Sequence, residues 1–346
     1  MSTENVLLKF APEMHKNYLL HILNGKMPSY GSSLDTNRAV LMYFAVGGLD
    51  ILNSLDSITD TRKKSIIDWI YSLQVINEKD LTSGFQGSTN LNTIENRGKN
   101  TLYKWAHIAN TYACLSSLLM LRDNLERVDR CAIINSLKAL QLPNGSFKGA
   151  IDGVESDMRF VFCAAAISHI LNDWSGIDVE LMVDFILNSI SYDGGIGQAP
   201  ELESHCGSTF CAVAALALSE NLDRLTRAQF DNLRRWLLFR FDGGFNGRPN
   251  KPVDTCYSFW SGGALKILDA YDFIQQENNH QYVLMTQDRR GGFAKWINCV
   301  PDPMHSYLGL AGLSLMDFGG LNEMFCELNI TKRTNEFLEE VQKTWM

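Results

Sequence analysis

Five glycine-centred turns recur at nearly constant intervals along this 346-residue chain: SGFQG (83–87), NGSFKG (144–149), DGGIGQ (193–198), DGGFNG (242–247) and GGFAK (291–295). The apolar residue beside each turn's glycines falls at Phe85, Phe147, Ile196, Phe245 and Phe293, at intervals of 62, 49, 49 and 48 residues. A period near 49 carries about two helices per unit, so the constraint is a stack of helix pairs.

Apolar patterning around the turns agrees. Segments before most of them, WIYSLQ (69–74), SLKALQ (136–141), WLLFRF (236–241) and YVLMTQ (282–287), alternate apolar and polar residues with helical period. Segments after them, such as TYACLSSLLML (111–121), FVFCAAAISHIL (160–171) and STFCAVAALAL (208–218), are apolar nearly all round. The first kind reads as an outer amphipathic helix and the second as a buried inner one. No strand-period alternation is sustained. The expected fold is all-α: an α-α barrel (toroid) of repeated helix pairs, one domain over 1–346. Its repeats span about 31–330, with an added helix in the first 30 residues and another over about 331–346.

Composition removes several function classes. The net charge of −8 argues against a nucleic-acid surface. MSTENVLLKFAPEMHK lacks the basic start and apolar core of a signal peptide, and runs such as FCAVAALAL (210–218) are too short to span a bilayer. The eight cysteines include no CxxC pair, so reduced thiols and a cytoplasmic protein are expected.

Unusual polar residues keep step with the repeat. His107, Arg159, His205, Asp254 with Cys256, and His305 stand near the starts of successive inner helices, at intervals of 52, 46, 49 and 51 residues. Stacking would gather them at one mouth of the barrel. Alone, a histidine at a helix start is more often a cap, and Arg248 and Lys251 read as a solvated basic turn. Together they read differently. Asp254, Cys256 and His305 offer O, S and N donors that suit Zn²⁺, and three protein ligands leave a fourth position open, as at catalytic zinc sites. The loop GRPNKP (247–252) puts Arg248 and Lys251 near Tyr257 and His205, a donor set suited to a diphosphate. Tyr43, Phe44, Trp105, Tyr112, Phe160, Phe162, Trp260 and Tyr307 are candidates for an aromatic lining. Aromatics on apolar helices are usually plain core; with cations beside a thiolate site, they point to a lipid diphosphate.

GRPNKPVDTCYSFW (247–260), LESHCGSTFC (202–211), SDMRFVFCAAA (156–166) and the GGFAKW and MHSYLGLAGLSLM stretches resemble the β subunits of protein prenyltransferases from about residue 30 onward. Within that family the geranylgeranyl-transferring type I members match best. The resemblance implies a helical-repeat α subunit as partner, geranylgeranyl diphosphate as lipid donor, and CaaX proteins such as Rho-type small GTPases as acceptors. It implies Asp254, Cys256 and His305 as ligands of one Zn²⁺, and His205, Arg248, Lys251 and Tyr257 at the diphosphate. Arg159, Phe162, Cys211 and Trp260 match lipid-contacting positions, and His107, Ala109, Glu155, Phe160 and Met304 those that receive the substrate's last residues.

Two positions bear on the choice of lipid and metal. Farnesyl-transferring members close the lipid tunnel with a Trp where this chain has Val40. They also carry an Mg²⁺-associated Asp where this chain has Lys295, so catalysis without Mg²⁺ is expected. Cys206 stands where the family usually has Gly, and Met304 where relatives often have Leu. A farnesyltransferase β subunit is the alternative within the family, and an inert toroidal binding protein the alternative outside it. A terpene cyclase is disfavoured because neither DxDD nor DDxxD occurs.

Overall fold

A computed structural model describes residues 9–25, 29–77, 81–92, 105–316 and 320–345. Helix α1 (Pro12–Asn24) precedes α2 (Arg38–Ile51), and α3 (Asp60–Ser72) precedes α4 (Ile108–Met120). The alternation continues through α5 (Arg130–Leu140), α6 (Met158–Ile170), α7 (Val179–Asn188) and α8 (Cys206–Leu218). It ends with α9 (Arg227–Leu238), α10 (Tyr257–Ile267), α11 (Gln276–Met285) and α12 (Pro303–Ser314), before a last helix, α13 (Lys332–Lys343).

The even-numbered helices from α2 to α12 form the inner ring. Each packs on the next, and α12 packs back on α2, so the ring is closed. Burial follows the sequence pattern. Within α8 all but Gly207 and Ala217 are buried, whereas α9 buries only Leu233, Trp236 and Leu237. Thr226 starts the outer helix α9 with a capping box to Gln229.

The recurring glycine turns join outer to inner helices. Phe85, Phe147, Ile196, Phe245 and Phe293 are all fully buried. Each bridges back to the end of the preceding outer helix, at Gln74, Gln141, Ile190, Phe241 and Gln287. The first bridge is the small ladder of β1 (Gln74–Val75) with β2 (Gly84–Phe85). The NGSFKG turn shows why glycine is needed: Gly145 has φ +88°, and a Cβ there would fall 1.9 Å from the Leu181 carbonyl oxygen.

Two terminal segments complete the barrel. The N-terminal helix is no mere addition: α1 packs on both α2 and α12, covering the seam where the ring closes. His15 anchors it, stacking on Phe293 at 4.3 Å while Nδ1 accepts the Gly292 N–H at 2.9 Å. After α12 the chain forms a hairpin of β3 (Met324–Phe325) and β4 (Ile330–Thr331), whose turn contacts α8 and α10. Thr331 and Thr334 hydroxyls and Arg333 hold this hairpin and α13 to buried Asp50 of α2. No helix among the described residues is long and apolar enough to cross a membrane.

Candidate active site

Inner helices all start at the same mouth, and their caps are part of the site. The backbone N–H groups of His107, His205, Asp254 and Asp302 donate to the carbonyls of Phe85, Ile196, Phe245 and Phe293, at 3.0, 3.1, 3.0 and 3.3 Å. These four residues are therefore equivalent positions of the repeat. The side chains of His107, His205 and Asp302 cap the following helix, and Asp254 makes the matching bond just ahead of α10. His107 Nδ1 accepts the Ala109 N–H, His205 Nδ1 that of Gly207, Asp254 Oδ1 that of Cys256 and Asp302 Oδ1 that of His305. The register expected from sequence needs two corrections: Arg159 lies two residues beyond Asp157, which caps α6, and His305 is displaced likewise. His305 lies a turn beyond the repeat position, inside α12, and Asp302 occupies the position itself.

The three proposed ligands do come together. One donor atom each from Asp254, Cys256 and His305 lies within 4.8 Å of the others, and all three residues are buried. Asp302 Oδ2 accepts from His305 Nδ1 at 2.6 Å, which puts the ring proton on Nδ1 and leaves an Nε2 lone pair. Nε2 lies 3.2 Å from Asp254 Oδ1, outside hydrogen-bond alignment, and has no hydrogen-bond partner. A buried nitrogen left so, facing a carboxylate and a thiol, fits a metal ion.

The electrostatics agree. Burial lowers the His305 pKa, but the neighbouring Asp254 and Asp302 carboxylates outweigh it and lift the ring to about 9: the pocket asks for a cation, either a proton on Nε2 or a metal in its place. Burial, then Asp254, pushes the Cys256 thiol well up, a preference that a bound metal reverses. Lys295 Nζ stands 3.6 Å from Asp254 Oδ2 and 4.5 Å over the Trp296 ring.

Next to this cluster, His205 Nε2 meets the Tyr257 hydroxyl at 2.9 Å. Because His205 Nδ1 is used as an acceptor, Nε2 carries the proton and donates to the Tyr257 oxygen. Burial and the nearby Arg248 charge lower the His205 pKa, which keeps this neutral tautomer. The Tyr257 proton is thereby free for a third group. Gly247 lies against the Tyr257 ring, leaving no room for a Cβ. Arg248 is adjacent but holds Glu203 at 2.7 Å, a partner the sequence did not reveal. Lys251 is exposed on the same loop.

The sequence matches the prenyltransferase alpha-alpha toroid domain over residues 10–330. The chain belongs to the prenyltransferase β-subunit family. It is 35% identical to the geranylgeranyl transferase type-1 subunit beta of Arabidopsis thaliana, over 93% of this chain and 89% of that protein. To the Dictyostelium discoideum subunit of the same name it is 37% identical, over 90% and 92%. Its fold superposes on Candida albicans protein geranylgeranyltransferase-I complexed with GGPP with a TM-score of 0.86 and 28% identity, covering 96% of this chain and 99% of that one.

Other residues singled out in this prenyltransferase subunit fall into two groups. His107 and Phe160 meet edge to face at 5.6 Å, and Arg159 reaches Glu155 at 3.7 Å while holding Asp157 at 2.6 Å. Ala109 and Met304 stand half-buried in the first turns of their helices. Deeper lies an aromatic belt with one ring from each inner helix. Centroid distances from Tyr307 to Tyr43, on to Tyr112, Phe162, Phe210 and Trp260, are 5.3, 5.6, 5.3, 5.7 and 5.0 Å. Phe210 completes the belt and was missed in the sequence because it resembles ordinary core. Cys211, its neighbour in chain, is buried. Val40 and Phe44 lie one turn apart on α2, and both keep partial exposure, as does Trp260.

Proposed function

We propose that this chain is the catalytic β subunit of a type I protein geranylgeranyltransferase. It transfers the C20 group of geranylgeranyl diphosphate to the cysteine thiol of C-terminal CaaX sequences, CaaL above all. The observation that carries the reading is a shared mouth: the Asp254–Cys256–His305 cluster, the His205–Tyr257 pair and the cationic loop stand together above an aromatic belt. Kinship with subunits bearing that name supports it.

Asp254, Cys256 and His305 would hold one Zn²⁺ per chain, and zinc when bound keeps an incoming thiol as thiolate near neutral pH. The substrate sulfur attacks C1 of the lipid; the S–C1 bond forms as the C1–O bond to diphosphate breaks. Tyr257, its oxygen already accepting from His205, donates a hydrogen bond to the departing diphosphate and keeps its proton. Arg248, Lys251 and Lys295 offset the charge that develops there. Lys295 takes the place of Mg²⁺. Arg159, Phe162, Cys211 and Trp260 line the lipid path, and Val40 leaves room for a fourth isoprene unit. His107, Ala109, Glu155, Phe160 and Met304 shape the pocket for the acceptor's last residues.

A prenyltransferase α subunit is the partner in this reading, Rho-type small GTPases are acceptors, and the setting is cytoplasmic. The test is co-purification with an α subunit, followed by transfer assays with both lipid diphosphates on CaaX peptides. Preferred transfer of geranylgeranyl to a CaaL peptide is expected. Preferred farnesyl transfer would replace this reading with the farnesyltransferase one, and no transfer at all would favour a binding protein.

A further inference from the structure

Each corner turn is stapled to the inner helix of the repeat before it. The backbone N–H groups of Ala39, Ile108, Met158, Cys206 and Thr255 donate to the carbonyls of Gly87, Gly149, Gln198, Gly247 and Lys295, at 3.0, 2.9, 2.9, 2.9 and 3.2 Å. Every acceptor stands two residues beyond the buried apolar side chain of its corner. Pro303, which has no N–H to give, holds the same place in α12, where no further corner follows.

Two of the five staples are doubled. The Cys206 thiol donates to the Asn246 carbonyl at 3.3 Å. Thr255 Oγ1 donates to the Ala294 carbonyl at 2.7 Å, with the Lys295 carbonyl at 3.1 Å also in reach. Ala39, Ile108 and Met158 have no side-chain proton to donate. Cys206 and Thr255 are fully buried, so water does not compete for these bonds. Asn246 and Ala294 are also the necks of two mouth loops, bridging to Val253 and Pro301.

The doubled corners are those that carry the cations assigned above to the diphosphate. Arg248 follows Gly247 directly, and Lys295 itself accepts the Thr255 N–H. Lys295 has most need of a fixed backbone. Its side chain is 46% exposed, and its neighbours are Asp254, a proposed metal ligand, and the exposed Trp296 ring. A cation that must first be ordered does less for a developing charge than one already in place.

We propose that Cys206 and Thr255 are positioning residues for the transfer reaction. Each side chain ties the next corner at a second point, so that Cys206 holds Arg248, and Thr255 holds Lys295, where the diphosphate departs. The inference rests on the transferase reading above.

The test is a crossed set of double variants, made in the enzyme with its α subunit. Thr255→Val and Cys206→Ala keep the backbone N–H and remove the side-chain donor. Each should lower kcat about fivefold, leaving KM for the lipid, and zinc affinity in a chelator competition, unchanged. Thr255→Ser and Cys206→Ser should restore kcat. In a Lys295→Ala background Thr255→Val should cost nothing further, while Cys206→Ala keeps its full effect; in Arg248→Ala the pattern should invert. Equal losses in both backgrounds would overturn the proposal, because a bond that serves only the fold is indifferent to which cation is present. So would a fall in zinc affinity matching the fall in kcat, or wild-type kcat in either folded variant. Should Thr255→Val fail to fold, the Cys206→Ala arm decides alone. Wild-type rates in both Arg248→Ala and Lys295→Ala would instead strike the roles given to those cations in the reaction itself, and this inference with them.

Discussion

Asp302 acts on His305 twice: one carboxylate oxygen caps its backbone N–H at 2.9 Å, and the other holds its ring Nδ1 at 2.6 Å. A single side chain thus fixes both the start of α12 and the direction in which Nε2 faces Asp254 and Cys256. Removing it should cost metal affinity without removing a ligand. Asp302→Ala is expected to weaken Zn²⁺ binding about 10–100-fold in a chelator competition, the usual cost of losing a carboxylate behind a ligating histidine. Wild-type affinity in the variant would show that Asp302 serves only as a cap.

Metal content follows from the same cluster. Purified enzyme should contain one zinc per chain, and Cys256→Ala or His305→Ala should abolish both bound zinc and turnover. Full activity in a zinc-free preparation would remove the role assigned to Asp254, Cys256 and His305.

Lys295 stands 3.6 Å from Asp254 and within reach of the mouth. Transfer should persist when Mg²⁺ is chelated under conditions that spare zinc, and Lys295→Ala should lower kcat/KM about tenfold or more. A strict millimolar Mg²⁺ requirement in the wild type would contradict the role given to this ammonium.

Val40 tests lipid length. Each additional buried CH₂ stabilises by about 0.8 kcal/mol where there is room, and overpacking costs about 1–3 kcal/mol where there is not. Val40→Trp should therefore shift kcat/KM from geranylgeranyl toward farnesyl diphosphate, about tenfold or more in the ratio. A loss of melting temperature with the ratio unchanged would make Val40 a core residue remote from the lipid.

His15 predicts how stability depends on pH. Nδ1 must be unprotonated to accept the Gly292 N–H, and Nε2 then donates to Gln287 at 2.9 Å. Burial lowers the pKa from 6.5 to about 4, against the opposing Gln287 hydrogen bond. The unfolded chain therefore binds a proton that the folded one refuses. The contribution is complete above about pH 6.5 and is lost as pH falls toward about 4, amounting to about 3 kcal/mol at most. Melting curves of wild type and His15→Gln should differ in slope over that window. Parallel curves would place the acid sensitivity elsewhere.

Much of this was legible in the residues themselves. The turns at Phe85, Phe147, Ile196, Phe245 and Phe293 announce the repeat, because a fold of stacked pairs needs the same glycine-bearing corner each time. Asp254 and Cys256 are two residues apart, so their proximity needs no tertiary argument. The interval of 48 residues from Asp254 to Asp302, equal to that from Phe245 to Phe293, even contained the position of Asp302. His305, three residues further on, is the more obvious ligand and masks it.

The tertiary structure decided what depends on closing the ring. Tyr43 and Tyr307 are 264 residues apart and meet only because α12 packs on α2. α1 covers that seam, and the hairpin tip at Asn329 enters a barrel whose wall is built by distant helices. Local sequence specifies period and turn chemistry, since both act within a few residues of chain. Which side chain faces the lumen depends on helix rotation, at about 100° per residue, and on neighbours that only closure supplies. Phe210 therefore reads as core in the sequence and joins the belt in the folded protein.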